Sequence, residues 1–513
     1  MSPPSAPLPA DVELSGDQEA AARAFLAWLA APEDGSPFLL RGYAGTGKTF
    51  LSMRFLAHAE ALGLCWTVVA PTHKAVGVLR DHLDQVGLRP TWFPSTLHRL
   101  LRLKLRREGD LERCSETAQT ATAFEHLGLV LIDEASMVDG QLLEITLRCA
   151  RSFRCRLVFI GDPAQLPPVG ERESPVFSLA RVRQVSLTHV VRHQGPVLRL
   201  ASGLRQGVLP CRRPPLLPVC RTDLGTVALL DRQEWLLAAQ KALRRCTEND
   251  DPDLARILCY TNRTLETLVP LARRALHGDL SDTRPVLPGE VLITRAPVMA
   301  PACLEDTVAR EDPEMCLSSN REVVVRDVTP GLYSLELGGL GENDPGEGDL
   351  FGAEPQANVI ETLMVRVDTN DDRLTLRLLP PIGSASRLAL DQALQRLRTA
   401  ARGAEPADAR QIWRRFFLLR DAFASLGPAA VLTVHRSQGS TFGEVFVARD
   451  VFWPQDEQLR RQLAYVAVSR ASRGVTMEAG PASAADQTLW RDWLTSGPAS
   501  APAPQTGASP TDA

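Results

Sequence analysis

Residues 41 to 50 read RGYAGTGKTF, and their types and spacing suit one task, the gripping of a polyphosphate. Gly42, Gly45 and Gly47 let a tight turn, with Thr46 inside it, aim backbone N–H groups at phosphate oxygens. Lys48 adds a point charge for the β and γ phosphates, and Thr49 a hydroxyl for Mg²⁺. Average composition yields such a glycine turn by chance on the order of 0.02 times in a chain this long, so phosphate binding is the preferred reading. Two carboxylates follow in LGLVLIDEAS (127 to 136). Asp133 suits a water-mediated hold on Mg²⁺ and Glu134 a general base for attack by water. Taken alone, Asp-Glu after an apolar run is as often a helix cap. Gln165 in GDPAQLPPV has the amide to sense a γ phosphate, or simply faces solvent from its loop. Gln18 in LSGDQEAA has the amide to read the N6 and N7 edge of adenine. ATP and Mg²⁺ are the expected cofactors.

These groups need rigid elements behind them. SPFLL (36 to 40) reads as a strand and KTFLSMRFLAHAEAL (48 to 62) as a helix, the strand–turn–helix setting that a phosphate loop requires. Two more apolar strands deliver Asp133 and Asp162 to the carboxyl edge of a parallel sheet, where ligands bind. Further on, ARILCYTNRTLETLV (255 to 269), AAVLTVHRSQGSTFGEVFVA (429 to 448) and QLAYVAVSRAS (462 to 472) make a second α/β core with no phosphate loop of its own. Such a core acquires a purpose by closing on the first and lending it arginines.

Composition narrows the classes. A chain of 513 residues should divide into roughly three or four domains or subdomains. No apolar run approaches the ~18 residues of a membrane span. The opening MSPPSAPLPAD lacks the features of a secretion signal, so a cytoplasmic protein with a short disordered tail is expected. Ten cysteines without CxxC pairs or zinc spacing fit free thiols. A net charge of −4 means that any nucleic-acid track must be local. Only Lys48, Lys74, Lys104 and Lys241 are lysines among 57 basic residues, so each marks a place where a compact charge is favoured over a guanidinium fork.

Eight segments in order resemble the helicase motifs of superfamily 1, and within it the RecD-like and phage Dda-like branch. They are GYAGTGKT, APTHKAV, STLHRLL, LIDEAS, GDPAQLPPV, VVRH, TVHRSQGSTF and YVAVSRAS, spanning about residues 14 to 480. The resemblance implies an α/β fold of two RecA-like P-loop domains, with a β-hairpin insertion and an SH3-like β-barrel plus helical insertion. It makes Arg192 and Arg470 the finger and sensor arginines. It assigns Pro71, Thr72, His73, Thr96, His98, Thr433, His435, Ser437 and Gln438 to a nucleic-acid track, with Gly439 in the same loop serving the nucleotide. Short hydroxyl, imidazole and amide groups suit contacts to phosphate and sugar. The implied activity is ATP-dependent 5′-to-3′ unwinding of DNA by a monomer. The implied partners are single-stranded DNA, forked duplex DNA and single-strand-binding or repair proteins, with no membrane involved. Two rivals are a RecD-like motor subunit of a nuclease complex and a plain P-loop kinase or switch; the second core and the late motifs disfavour the latter.

The remaining segments are read as insertions. The first RecA-like domain spans 13–190 and carries a hairpin insertion at 97–127, where LHRLLRLKLRREGDLERCSE reads as two strands around EGD. The resemblance makes this hairpin the pin that splits a duplex, against a plain charged edge ribbon. Nearby Trp92 and Phe93 either stack on a base or pack beneath it. The second RecA-like domain takes 191–285 and 428–495. Between them, 286–427 holds EVLITRAPV, REVVVRDV, LYSLELG, ETLMVRVD and RLTLRLL as short strands of a small barrel, then helices near 385–402 and 408–425. Trp413, Phe416 and Phe417 in the second helix read as core rather than as a DNA platform. Residues 1–12 and 496–513 read as disordered tails.

Overall fold

In the computed structural model, residues 14–108, 111–188, 195–304, 315–335, 359–369 and 373–496 are described. Two six-stranded sheets dominate. The first is wholly parallel and runs in the order Ser95–Thr96, Trp66–Ala70, Leu129–Ile132, Arg156–Gly161, Phe38–Gly42 and Arg183–Leu187. Its strands Trp66–Ala70, Leu129–Ile132 and Arg156–Gly161 are buried almost throughout because helices cover both faces, whereas the edge strand Arg183–Leu187 is largely exposed. Four of them end beside the loops that carry Tyr43 to Thr49, Pro71, Asp133 and Asp162, which puts the candidate chemistry on one sheet edge.

The second sheet runs Val431–Thr433, Ala255–Cys259, Phe442–Val447, Ala471–Glu478, Gly225–Leu230 and Leu217–Thr222, parallel except for the last pair. Helices Pro196–Gln206 and Glu457–Ser469 pack on one face and Arg232–Glu248 and Asn262–His277 on the other. The chain leaves this sheet after Asn262–His277 and returns only at Val431.

The excursion builds a five-stranded antiparallel sheet in the order Arg373–Arg377, Val359–Asp368, Glu322–Ser334, Val291–Thr294 and Leu426–Pro428. The two strands expected from REVVVRDV and LYSLELG begin as one continuous strand, Glu322–Ser334, and the end of LYSLELG lies outside the described residues. Pro330 does not break that strand, because its partner Val359–Asp368 runs along one side only and the Val291–Thr294 strand pairs no further than Val324. A missing N–H is tolerated at such an edge. Helices Ala385–Gly403 and Pro406–Asp421 pack on this sheet around Ile360, Leu390, Leu419 and Phe423.

Within 97–116, the stretch read as two strands opens differently. Leu97–Leu100 is a helical turn capped by the Thr96 hydroxyl, and only Lys104–Glu108 and Leu111–Ser115 form the hairpin. Its stem is clamped to Pro406–Asp421. The Arg107 guanidinium meets Glu112 at 3.0 Å and Asp421, and lies 4.4 Å from the centre of the Phe417 ring. Arg420 meets Glu112 at 2.7 Å and lies 4.8 Å from the same ring. Burial pushes the Glu112 carboxyl up, but its two arginines outweigh that and hold it below the usual range. Phe416 and Phe417 are buried, as expected of core residues, and Trp413 packs edge-on against Phe416 at 5.3 Å. The ten cysteines are thiols, six of them buried. No described helix is long and apolar enough to cross a membrane.

Candidate nucleotide and nucleic-acid site

The phosphate loop joins Phe38–Gly42 to the helix Lys48–Ala61. Gly47 caps that helix at φ +83°, and a Cβ there would lie 2.4 Å from Gln18 Nε2, so only glycine fits. Gln18 is buried, and both ends of its amide are engaged. Nε2 donates to the Thr46 carbonyl at 3.1 Å and Oε1 accepts from Ser15 N at 3.1 Å, closing a capping box. Its amide therefore braces the phosphate loop. Thr46 is also fully buried, with hydroxyl and N–H turned back to the Tyr43 carbonyl at 2.9 and 3.3 Å, so its side chain shapes the loop. Lys48 Nζ donates to the same carbonyl at 3.0 Å, which leaves the ammonium inside the loop. Thr49 lies in the first turn of the helix.

Asp133 and Glu134 follow Leu129–Ile132 as expected. Glu134 adopts a left-handed conformation (φ +52°, ψ +43°), uncommon for a residue with a side chain, and its N–H donates to Asp133 Oδ1 at 2.8 Å. Burial, and then the charge of Glu134, raises Asp133 to about 7, with Lys48 opposing. A carboxylate under that pressure is one that a divalent cation would relieve, so Thr49 and Asp133 fit the hard, oxygen-donating half of an Mg²⁺ site. Gln165 is buried with its Oε1 lacking a hydrogen-bond partner, the kind of orphaned group a bound ligand satisfies.

The second sheet closes on this edge. Tyr465, on Glu457–Ser469, accepts from Ala44 N at 2.9 Å and donates to Asp162 Oδ2 at 2.5 Å. Gln438 Nε2 donates to the Leu166 carbonyl at 3.2 Å. The Arg205 guanidinium sits 3.3 Å from the centre of the Tyr43 ring, and a cavity of about 490 Å³ opens beside Arg205, Arg461 and Tyr465. Arg470 is buried and turned onto its own lobe, bonding the Val466 and Ser440 carbonyls at 3.3 Å and Ser469 Oγ at 3.1 Å. Arg192 lies outside the described residues.

The nucleic-acid track divides. Pro71, Thr72 and His73 end Trp66–Ala70, and Thr72 caps the next helix through Ala75 N at 3.3 Å. Thr96 likewise spends its hydroxyl as a cap. His98 and His435 are partly buried, and burial lowers both, so each imidazole is neutral near pH 7. Thr433 ends its strand and is nearly buried. Ser437 is fully buried and donates to the Val434 carbonyl at 2.8 Å, and Gln438 bridges the lobes. Gly439 packs on the Thr72 turn: at φ +74° its Cβ would lie 3.1 Å from Thr72 Oγ1. Trp92 packs against the first lobe's core, whereas Phe93 is 90% exposed, which separates two neighbours that sequence treats alike.

Reasoning from sequence missed two groups. Lys74 Nζ meets Glu322 of the inserted sheet at 3.2 Å and lies 5.0 Å from the centre of the Phe442 ring, with Arg256 on the same ring at 5.1 Å. Its lysine identity was the only signal. Tyr465 stood inside YVAVSRAS with nothing to mark its hydroxyl.

Residues 13–210 match the model of an AAA domain and residues 428–477 that of the UvrD-like helicase C-terminal domain. Among curated proteins, the chain is 24% identical over 446 residues to "ATP-dependent DNA helicase dda" of Enterobacteria phage T4, covering 84% of this chain and 92% of that one. It is 32% identical over 175 residues to "ATP-dependent RecD2 DNA helicase" of Deinococcus radiodurans, covering 34% of this chain and 22% of that one. A solved Pif1 helicase from Candida albicans aligns over 94% of this chain and 99% of its own, at 16% identity and a TM-score of 0.43. The two family models fall on the two lobes in the order of the motifs, and the chain resembles the superfamily 1 helicases of the RecD-like and Dda-like branch.

Proposed function

We propose that this protein is an ATP-dependent DNA helicase that moves 5′ to 3′ along a single strand and separates duplex ahead of it. One observation carries the reading: the lobe without a phosphate loop lays Tyr465 and Gln438 directly on the loops of the lobe that has one. A plain kinase or switch has no use for such a second lobe, whereas a motor needs the two to grip alternately.

On this reading the domain limits are those drawn from the sequence, the inserted sheet is an SH3-like barrel, and the Lys104–Ser115 hairpin is the separating pin. Lys48 moves from the Tyr43 carbonyl onto the β and γ phosphates, and Glu134 orients water for attack. Gln165 senses the γ phosphate, its unmet Oε1 accepting from a water that the phosphate holds. Arg470 exchanges its long bonds to neutral carbonyls for phosphate oxygens, and Arg192 is the finger arginine. Asp133 and Thr49 hold Mg²⁺, which supplies charge neutralisation on the phosphates. Thr72, His73, His98 and His435 grip backbone without reading bases. The test is strand separation on forked duplexes: a 5′ tail should support unwinding and a 3′ tail should not, with affinity falling as salt rises. Equal unwinding from a 3′ tail, with ATP hydrolysed on both substrates, would refute the polarity.

A further inference from the structure

The geometry points to Tyr465 as a positioning residue that links closure of the lobes to the arrangement of both nucleotide-facing loops. The inference rests on the reading of the chain as an ATP-driven motor. Tyr465 comes from the second lobe, yet its hydroxyl lies between two groups of the first. It accepts from Ala44 N, inside the phosphate loop, and donates to Asp162 Oδ2, at the root of the loop that carries Gln165. The other oxygen of Asp162 accepts from Ala164 N at 2.9 Å, and the Asp162 carbonyl accepts from Gln165 N at 3.1 Å. One hydroxyl therefore joins a phosphate-loop amide to the carboxylate that shapes the sensor loop.

Tyr465 is 2% exposed and Asp162 0%, and Ala44 is partly buried. Burial, then the charge of Asp162, holds the phenol well above its ordinary value, so it stays a donor at any working pH. No charged side chain hydrogen-bonds Asp162 among the described residues, so the phenol and the Ala164 amide are what solvate its carboxylate. Separation of the lobes would strip Ala44 and Asp162 of their shared partner together, and both loops would loosen in the same step. A tyrosine serving only as core packing would need its ring, which touches the second lobe's core, and not its hydroxyl.

The hydroxyl is separable from the ring. Tyr465→Phe should lower kcat for ATP hydrolysis on single-stranded DNA about tenfold, while KM for ATP and Kd for DNA stay within about twofold. Hydrogen exchange should quicken in peptides covering residues 43–47 and 162–166 and not elsewhere. Asp162→Asn, which attacks the bridge from its other end, should give the same pattern, and the double variant should be no worse than the worse single. Unchanged kcat in Tyr465→Phe, additive losses in the double variant, or exchange that quickens across the whole second lobe would each overturn the inference. If the wild type fails to hydrolyse ATP with DNA, the motor reading falls. The exchange measurement still decides whether the hydroxyl holds both loops.

Discussion

Glu322→Gln tests how the inserted sheet is fastened to the two lobes. Glu322 receives Lys74 of the first lobe at 3.2 Å and faces Arg256 of the second at 3.7 Å, and both cations lie against the Phe442 ring. The amide would leave two positive groups facing each other with the Arg256 side chain only 3% exposed. Breaking a buried pair from one side costs about 3–5 kcal/mol. Asp253 remains 3.0 Å from Arg256 and softens the loss, but its side chain is 47% exposed, so about 2 kcal/mol should persist. In a cooperative unit of about 150–250 residues this lowers Tm by about 4–8 °C. Burial pushes the Glu322 carboxyl up, but Arg256 and Lys74 outweigh it and hold it below its ordinary value of 4.5. Stability from a depressed carboxyl is present above the unfolded value and lost as pH falls through the folded one. The Tm difference between wild type and variant should therefore be flat from about pH 6 to 8 and narrow only below about pH 4.5. Paired thermal melts across that range would check it. A shift under about 1 °C at neutral pH, or one that vanishes near pH 6, would refute the reasoning.

Lys48→Ala should abolish ATP hydrolysis and leave single-stranded DNA binding intact, since the ammonium sits inside the phosphate loop; residual turnover above about a tenth of wild type would contradict the assignment. Arg107→Ala should free the hairpin from Pro406–Asp421 by leaving Asp421 with Arg420 alone, and gel-based unwinding should fall about tenfold while DNA-stimulated hydrolysis stays within about twofold. Equal loss of both activities would make the hairpin a structural brace.

The parts legible in the sequence were those whose chemistry is local. Glycine spacing around Lys48, the apolar run before Asp133 and the alternation in ETLMVRVD each depend on neighbours within one element, and each lies where its pattern placed it. What escaped depends on partners far along the chain. Lys74 finds Glu322 at a separation of 248 residues, Arg107 finds Asp421 at 314 and Tyr465 finds Ala44 at 421. No periodicity reports such a pairing. The bonds that hydroxyls and amides make escaped for a related reason: Thr46, Ser437 and Gln438 are polar and sit in the motif loops, and burial obliges them to bond backbone carbonyls that the sequence does not reveal. The LHRLL stretch turned helical because Thr96 caps it, a signal present in STLHR but overridden by the charged ribbon after it.

The order in which the second sheet is assembled bears on how the protein is made. Ala255–Cys259 is buried at every position, yet its two neighbours, Val431–Thr433 and Phe442–Val447, are encoded only after the whole inserted sheet and its helices. At about 5–20 residues per second, a ribosome would take on the order of ten to forty seconds to supply them. Throughout that interval the strand's unpaired edges and apolar faces have no native cover, while the first lobe, whose six strands all lie before residue 188, can already be complete. Nascent chains halted between residues 290 and 430 should therefore carry a folded first lobe and a sticky second half, and this is the stretch of synthesis in which chaperone capture or aggregation falls.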